Sequence, residues 1–190
     1  HLVCLDKLTY ASRGFDRLRD IGVYDDKRIT RFTHDIAQRP SDGLVYEIGS
    51  IDYVLHLAAE THVDRSIADP RSFVLSNVVG TFEMLDLALR LQPKAFVYFS
   101  TDEVFGPAIV GRSVDCQFDG RSADPLLNYR EWDRYNSTNP YSATKAGGEE
   151  LALAYANTYK LPVIITHCMN LIGERQHHEK YVPTIIRSVL

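Results

Sequence analysis

The feature that most constrains the fold is a regular alternation between short apolar runs and segments of helical periodicity. Five runs are typical of β-strands, at 1–6, 28–36, 51–59, 94–102 and 161–170. The third is almost wholly apolar, as expected for a strand buried on both faces. Two intervening segments, 69–92 and 139–160, carry apolar residues at spacings of three and four, which predicts helices. The alternation predicts an α/β fold, a parallel sheet with helices on both faces.

Composition narrows the class of protein. Of 190 residues, 45% are apolar and 24% are charged, the balance of a globular domain. The net charge of −4 provides no basic surface, which argues against nucleic acid as a partner. No uninterrupted apolar run of about 18 residues occurs, so we expect no membrane span. Cys4, Cys116 and Cys168 form no CxxC pair, so we expect no zinc site, no disulfide framework and a cytoplasmic location.

Two further features concern the organisation of the chain. It opens within an apolar strand pattern and closes within an apolar helical pattern, YVPTIIRSVL, so we expect a fragment of a longer chain. Residues 107–137 are polar and rich in Asp, Arg and Gly, which predicts a long loop.

Polar or small residues follow most of the predicted strands. Ligands of parallel sheets gather where the strands end, so these residues are candidates for a binding site. They are Asp6, Asp35–Ile36, Ala58–Ala59–Glu60, Ser100–Thr101–Asp102–Glu103 and Asn170. An acid such as Asp6 pairs with an adenosine ribose in many such folds, or is a simple turn residue. The pair Ala58–Ala59 permits either close approach of a diphosphate or tight helix–strand packing.

Tyr141 and Lys145 are separated by four residues at the start of the predicted helix, and share one of its faces. An ammonium ion next to a phenol favours the phenolate, so we expect Lys145 to lower the pKa of Tyr141. A tyrosine of that kind accepts a proton from an alcohol near neutral pH. The alternative is a chance pairing of two residues that are common on helix surfaces.

The segment STDEVFG at 100–106 adds a hydroxyl and two acids. Thr101 is placed to share a substrate proton with Tyr141, and Asp102 and Glu103 offer an acid–base pair. Taken alone, two adjacent acids equally suit a solvated turn or a helix N-cap.

Several motifs, in the same order, resemble the extended short-chain dehydrogenase/reductase superfamily, and within it the dTDP-glucose 4,6-dehydratase-like family. They are LDKLTYA at 5–11, HDI at 34–36, LAAETHVDRSI at 57–67, NVVGT at 77–81, STDEVFG at 100–106, NPYSATKA at 139–146 and NLIGERQHHEKYVP at 170–183. The resemblance implies a Rossmann-type domain, 1–190, that binds NAD. The first strand and glycine-rich turn of that fold are missing from this sequence, and the substrate domain is largely absent.

The resemblance also implies which residues bind the cofactor and the nucleotide-diphosphate sugar. The cofactor set is Asp6, Lys7, Leu8, Asp35, Ile36, Leu57, Ala58, Ala59, Asn77, Tyr141 and Lys145. The substrate set is Glu60, His62, Asp64, Arg65, Ser66, Asn170 and Lys180. His62 is otherwise a core histidine and Arg65 a surface charge. The family uses no metal, and the spacing of Arg175, His177 and His178 is poor for metal ligands.

The reaction implied by the resemblance is a 4,6-dehydration. Tyr141 would deprotonate the sugar 4-hydroxyl, assisted by Thr101 and Lys145. Glu103 would then remove the C5 proton while Asp102 protonates the departing C6 hydroxyl. Epimerases of the superfamily carry small residues at the Asp102 and Glu103 positions. The alternatives are an epimerase or decarboxylase of the same superfamily, or a non-catalytic NAD-binding or scaffold protein.

The sequence also departs from the family pattern. The glycine-rich turn is lacking, so we expect the 190 residues alone to bind NAD weakly or not at all and to be inactive. His167, Leu171–Ile172 and His178 replace residues usual in relatives, which leaves the sugar and base open. In relatives the helices at 73–90 and 141–159 pack against a twin subunit. We therefore expect a homodimer, although such apolar faces equally suit an intramolecular core.

Overall fold

The computed structural model describes residues 1–106, 130 and 132–190. The strands are β1 Leu2–Asp6, β2 Ile29–Thr33, β3 Tyr53–His56, β4 Ala95–Thr101 and β5 Val163–Cys168. The α-helices are α1 Asp16–Asp20, α2 Asp42–Ile48, α3 Val63–Ala68, α4 Pro70–Phe73, α5 Gly80–Leu91, α6 Pro140–Tyr159 and α7 Tyr181–Val189. A π-helical segment, Val74–Val79, joins α4 to α5, and a 3₁₀ turn, Asp102–Phe105, follows β4. The predicted alternation of strands and helices is confirmed.

Every strand pair in the described residues is parallel, as predicted, but the strands form two sheets. β1 pairs with β2 in one sheet, and β3, β4 and β5 follow one another in the second. Parallel strands joined through helices, with the order β3-β4-β5 in the larger sheet, are an arrangement typical of Rossmann-type folds. The predicted Rossmann-like fold class is therefore confirmed.

Two strands end clearly earlier than the sequence predicted. β2 ends at Thr33 and not at Asp35–Ile36, because Asp35 accepts the Ala37 N–H at 3.0 Å and starts a turn. β3 ends at His56, before Ala58–Ala59–Glu60. The other three strand ends are at or close to their predicted positions, since β1 ends at Asp6, β4 at Thr101 and β5 at Cys168.

The core lies between the three-stranded sheet and the helices α5 and α6. Phe96 and Tyr98 of β4 are fully buried, as are Leu85 and Ala88 of α5 and Ala152 of α6. Side chains of a strand alternate between faces, so this packing fixes the direction of every β4 side chain. The carboxyl half of β4 lies beside the first half of α6, where the Lys145 ammonium donates to the Phe99 carbonyl at 2.6 Å.

The continuous helix from Pro70 to Leu91 is, in the described part of the chain, the one helix long and apolar enough to cross a membrane. Half of its apolar window is buried inside the protein. Phe73, Leu85 and Leu87 point into the core, which accounts for the apolar composition. A core helix of this kind meets the length and composition test without spanning a bilayer.

The predicted loop at 107–137 lies mostly outside the described residues, as does Cys116. Its last residues run beside the 3₁₀ turn, where the Asn136 N–H donates to the Val104 carbonyl at 2.8 Å. Gly106, with φ of +81°, fits under the Asn136 backbone, where a Cβ atom would collide. This end of the loop is therefore packed against the end of β4.

Candidate active site

The end of β4 presents a hydroxyl followed by two carboxylates. Thr101 is the last strand residue, and its hydroxyl accepts the Glu103 N–H at 3.3 Å, capping the 3₁₀ turn. The same hydroxyl lies 3.3 Å from the Asp102 carboxylate. Both acids therefore project from one tight turn at the carboxyl end of the sheet.

The start of α6 is fixed to this turn by Asn139. Its side chain accepts the Ser142 N–H at 2.8 Å, while the Ser142 hydroxyl reaches back to the Asn139 backbone. This capping box, with Pro140 in the first turn, explains why the helix begins here. The Asn139 amide also donates to Glu103 at 3.1 Å. Asn139 was not among the predicted site residues, although its place before Pro140 marks a helix cap.

Tyr141 lies next to the Thr101 hydroxyl and the carboxylates of Asp102 and Glu103. The structure therefore brings these four predicted residues together. Burial raises the pKa of Tyr141 to about 12, a hydrogen bond with the Thr101 hydroxyl opposes this rise, and Glu103 and Asp102 add to it. The expectation that a neighbouring ammonium lowers this pKa was wrong. Desolvation of the phenol and repulsion from the carboxylates are stronger in this structure.

Lys145 is buried one turn further along α6, with 3% of its surface exposed. Its ammonium group donates to the Phe99 carbonyl at 2.6 Å and lies 4.2 Å from the centre of the Tyr98 ring. Burial lowers the pKa of Lys145 to about 8, and the negative charge of Glu149 opposes this effect. A lysine with such a pKa is charged at neutral pH yet poised to titrate.

Predicted binding residues at or just after the ends of β1, β2 and β3 form one polar edge of the structure, which is called the rim below. Asp6 accepts the Leu8 N–H at 2.7 Å, and Leu8 adopts a positive φ of 56°. The Lys7 ammonium lies 4.0 Å from Asp35 and 3.6 Å from Glu60, so it links the ends of β1, β2 and β3. The structure thus brings together acids and an ammonium from the ends of three strands.

Asn77, also predicted to bind the cofactor, is buried in the π-helical segment. Its amide accepts the Glu60 N–H at 2.8 Å and donates to the Glu60 carbonyl at 2.9 Å and to Thr144 at 3.0 Å. These bonds hold the loop after β3 against α6. Asn77 therefore fixes the backbone of Glu60 in this structure.

The remaining cofactor candidates differ in exposure. Leu57 has 56% of its surface exposed at the end of β3, whereas Ala58 packs against the core. Ala59 is half-buried. Ile36 is buried, because its side chain fills the space left by the missing Cβ of Gly80.

The predicted substrate residues differ in their contacts and exposure. His62 caps α3 by accepting the Arg65 N–H at 3.4 Å, and Lys180 donates to the Thr61 hydroxyl at 2.8 Å. Burial lowers the pKa of Lys180. Ser66 is buried and bonded within α3, while Asp64 and Asn170 are exposed.

Two residues of this region were missed by the sequence analysis. The Tyr10 hydroxyl donates to Glu179 at 2.8 Å, and the Arg65 guanidinium lies 3.7 Å from the centre of the Tyr10 ring. Glu179 is 3.9 Å from His62. Both missed residues lie inside the motifs LDKLTYA and NLIGERQHHEKYVP, so their positions were an available signal.

The side chains of the described residues suit a dinucleotide better than a metal ion. Within these ranges, no group of three or more His, Cys, Asp or Glu side chains is arranged to hold a metal ion. The rim offers carboxylates suited to ribose hydroxyls at Asp6 and Asp35, and small side chains at Ala58 and Ala59. Lys145 adds an ammonium group. This set of residues fits a dinucleotide.

Comparison with known proteins gives the family. Residues 2–190 match the model of the NAD dependent epimerase/dehydratase family. The chain is 39% identical to a dTDP-glucose 4,6-dehydratase of Streptomyces antibioticus, covering 100% of this chain and 49% of that protein. It is 35% identical to a dTDP-glucose 4,6-dehydratase of Escherichia coli, covering 100% and 52%. The chain thus spans about half the length of the curated relatives it matches.

Solved structures of other proteins have a similar fold. The dTDP-glucose 4,6-dehydratase DesIV from Streptomyces venezuelae, with NAD and TYD bound, has a TM-score of 0.76 and 29% identity over 99% of this chain and 61% of its own. The UDP-glucuronic acid 4-epimerase of Bacillus cereus, in complex with UDP-glucuronic acid and NAD, has a TM-score of 0.81. It is 22% identical over 100% of this chain and 55% of its own, so this likeness supports the fold and not a function.

The predicted family resemblance and the predicted cofactor class are both confirmed by these matches, because the matching family is NAD dependent. The chain belongs to the NAD dependent epimerase/dehydratase family.

Proposed function

We propose that the protein is an NAD-dependent nucleotide-sugar 4,6-dehydratase with a dTDP-glucose-like substrate. The observation that carries the proposal is the adjacent pair Asp102 and Glu103, on one turn with Thr101 and in electrostatic contact with Tyr141. Elimination of water needs an acid and a base on one edge of a sugar. Two neighbouring carboxylates in different surroundings can divide those tasks.

The first step falls to Tyr141 and Thr101, which share a hydrogen bond. Tyr141 accepts the proton of the sugar 4-hydroxyl, and the Thr101 hydroxyl orients the same oxygen. The raised pKa makes the phenolate strongly basic but scarce at neutral pH. Lys145, one turn along the helix, is the ammonium group that would bind the nicotinamide ribose.

NAD, when bound, supplies the acceptor that takes the C4 hydride and returns it to C6. The 4-keto group that results makes the C5 proton acidic. Glu103, to which the Asn139 amide donates at 3.1 Å, is the base that removes this proton and returns it to C5 after the elimination, and Asp102 is the acid that protonates the C6 hydroxyl as it leaves as water. The acid and the base of the elimination are thus neighbouring side chains of the 3₁₀ turn that follows β4.

The 190 residues are assigned by this proposal to the cofactor-binding part of the enzyme, with most of the substrate domain beyond them. A homodimer, expected from the helix pattern, stays a prediction. Leu75, Phe82 and Leu153 leave 43%, 41% and 40% of their surfaces exposed on the π-helical segment, α5 and α6, which is consistent with it. Light scattering of the purified protein gives the oligomeric state directly.

The test is conversion of dTDP-, UDP-, GDP- and CDP-glucose by this chain and by any longer protein that contains it. A 4-keto-6-deoxy product is identified by its absorbance in alkali and by mass, 18 Da below the substrate. We expect Glu103→Gln to lower its formation by about 100-fold or more. Glu47→Gln is the matched control, because Glu47 is exposed on α2.

Each alternative gives a different product. Formation of a C4 epimer without loss of mass would reject the dehydratase in favour of an epimerase. Tight binding of NAD with no conversion of any nucleotide sugar would favour a binding or scaffold protein.

A further inference from the structure

Glu149 is a buried acid that the proposed reaction does not use. Its surface is 0% exposed, although carboxylates are almost never fully buried unless they are paired. Its partners come from three other parts of the chain: Ser100 of β4, Tyr135 in the segment before α6, and His167 of β5. These four residues are called the Glu149 cluster below.

The hydrogen bonds of the cluster suit an ionised carboxylate. One oxygen of Glu149 accepts the Ser100 hydroxyl, and the other accepts the Tyr135 hydroxyl at 2.6 Å and lies 2.8 Å from Nε2 of His167. Burial and the bond to Glu149 raise the pKa of Tyr135 well above its usual range, so Tyr135 is the donor. An ionised carboxylate only accepts hydrogen bonds, which matches this arrangement.

Glu149 also lies on the same helix face as the predicted catalytic pair. Tyr141, Lys145 and Glu149 are spaced by four residues along α6, so their side chains follow one another on that face. Lys145 is buried, and a buried ammonium ion is costly unless a negative charge compensates it. Glu149 is the charge that raises the pKa of Lys145 most strongly against the effect of burial.

We propose that Glu149 is a positioning residue of this enzyme, with two effects on the site. Its negative charge keeps Lys145 in the ammonium form, and its bond to Ser100 holds the strand end that carries Thr101. The catalytic consequence rests on the proposed function. The effect on the charge of Lys145 does not, and it is measured without activity.

Glu149→Gln separates the charge from the packing. The amide has nearly the size of the carboxylate, and its oxygen can accept the bonds of Tyr135 and His167. Its NH₂ group can donate to the Ser100 hydroxyl, since a hydroxyl both donates and accepts. Glu150→Gln is the matched control, because it removes the same charge from the next, exposed position of α6.

In the kinetic test we expect Glu149→Gln to lower kcat by about tenfold or more at pH 8 and by less at pH 6.5. Without the compensating carboxylate, the pKa of Lys145 falls further, so the ammonium form is lost at lower pH. The KM for the nucleotide sugar is expected to stay within about threefold of the wild-type value. Glu150→Gln is expected to leave both constants and the pH profile unchanged.

A second measurement follows Lys145 itself, by NMR titration of its Cε resonance, assigned with Lys145→Arg. We expect the midpoint to move to lower pH in Glu149→Gln by about half a pH unit or more, and not in Glu150→Gln. If the longer protein that contains this chain forms no product but the Lys145 midpoint moves in this way, the proposed function is rejected and the charge assignment is supported. An unchanged midpoint with an unchanged pH profile overturns the proposal, even if the variant is less stable.

Glu149→Asp is a second variant, which keeps the proposal testable if Glu149→Gln does not fold. Its carboxylate keeps the charge but is drawn back by one methylene group, away from Ser100. The midpoint of Lys145 is expected to stay close to the wild-type value while kcat falls, because the charge is kept while the bonds to Ser100, Tyr135 and His167 are weakened. A midpoint that falls in Glu149→Asp as far as in Glu149→Gln would overturn the role of the charge.

Discussion

The two sheets of this protein are built differently. None of the residues of β1 and β2 is fully buried, whereas β4 alone buries Phe96, Tyr98, Ser100 and Thr101. Predicted catalytic groups therefore lie on elements positioned by a packed core, whereas the predicted cofactor residues at the end of β1, Asp6, Lys7 and Leu8, lie on a partly exposed rim. We therefore expect changes near β4 and α6 to act through stability and geometry, and changes near β1 to act through binding.

The largest expected effect tests the core of the three-stranded sheet. Leu85 is 0% exposed, so Leu85→Ala is expected to lower the free energy of unfolding by about 2–5 kcal/mol. Leu2→Ala removes the same atoms from β1, where the side chain is 51% exposed, and is expected to cost less than about 1 kcal/mol. Urea unfolding followed by circular dichroism measures both. Equal losses would mean that the two sheets are packed alike.

A smaller effect tests the contact between β4 and α6. A Cβ atom on Gly148 would collide with the Tyr98 hydroxyl and lie 3.0 Å from the Asn77 carbonyl, a backbone atom. Gly148→Ala is therefore expected to destabilise the protein by about 1–3 kcal/mol, despite the better helix propensity of alanine. Gly147→Ala is the control, since its Cβ would meet only the Val78 side chain at 3.4 Å. A stabilising Gly148→Ala would show that β4 and α6 are loosely packed.

The pH dependence of stability offers a third comparison. His56 is buried in β3 beside Lys145, and burial first, then that charge, lowers its pKa to about 3. The unfolded chain binds a proton near pH 6.5 while the folded protein does not, so stability is lost as the pH falls from 6.5 towards 3. From pH 7 to pH 5 the loss from this group is about 2 kcal/mol.

His56→Gln is expected to remove this part of the loss, measured as the difference in unfolding free energy between pH 7 and pH 5. His34→Gln, just after β2, leaves His56 in place and is expected to keep the wild-type difference. If His56→Gln and the wild type lose the same stability, His56 is not buried in the neutral form.

Sequence patterns predicted the proposed catalytic residues Thr101 and Tyr141, but not Glu149, which is proposed as a positioning residue. Thr101 was predicted, at the end of a strand, to share a substrate proton with Tyr141, and the two side chains share a hydrogen bond in the structure. Glu149 was not singled out, because an acid in a helix is ordinarily exposed. Its burial depends on Ser100 and His167, which are 49 and 18 positions away in sequence. The strand ends near Asp35 and Ala58 were predicted too late, since local turns end strands before the apolar pattern does.

The smallest expected effect concerns the rim. Asp6→Asn keeps an oxygen that can accept the Leu8 N–H, so the unfolding free energy is expected to change by less than about 0.5 kcal/mol. The charge that suits a ribose hydroxyl is lost, so the affinity for NAD is expected to fall by about tenfold, or about 1.4 kcal/mol. Calorimetric titration of NAD measures this in whichever form of the protein binds it. Asp25→Asn, at an exposed position before β2, is the control and is expected to bind as the wild type does. A stability loss in Asp6→Asn as large as that of Gly148→Ala would contradict the division between rim and core.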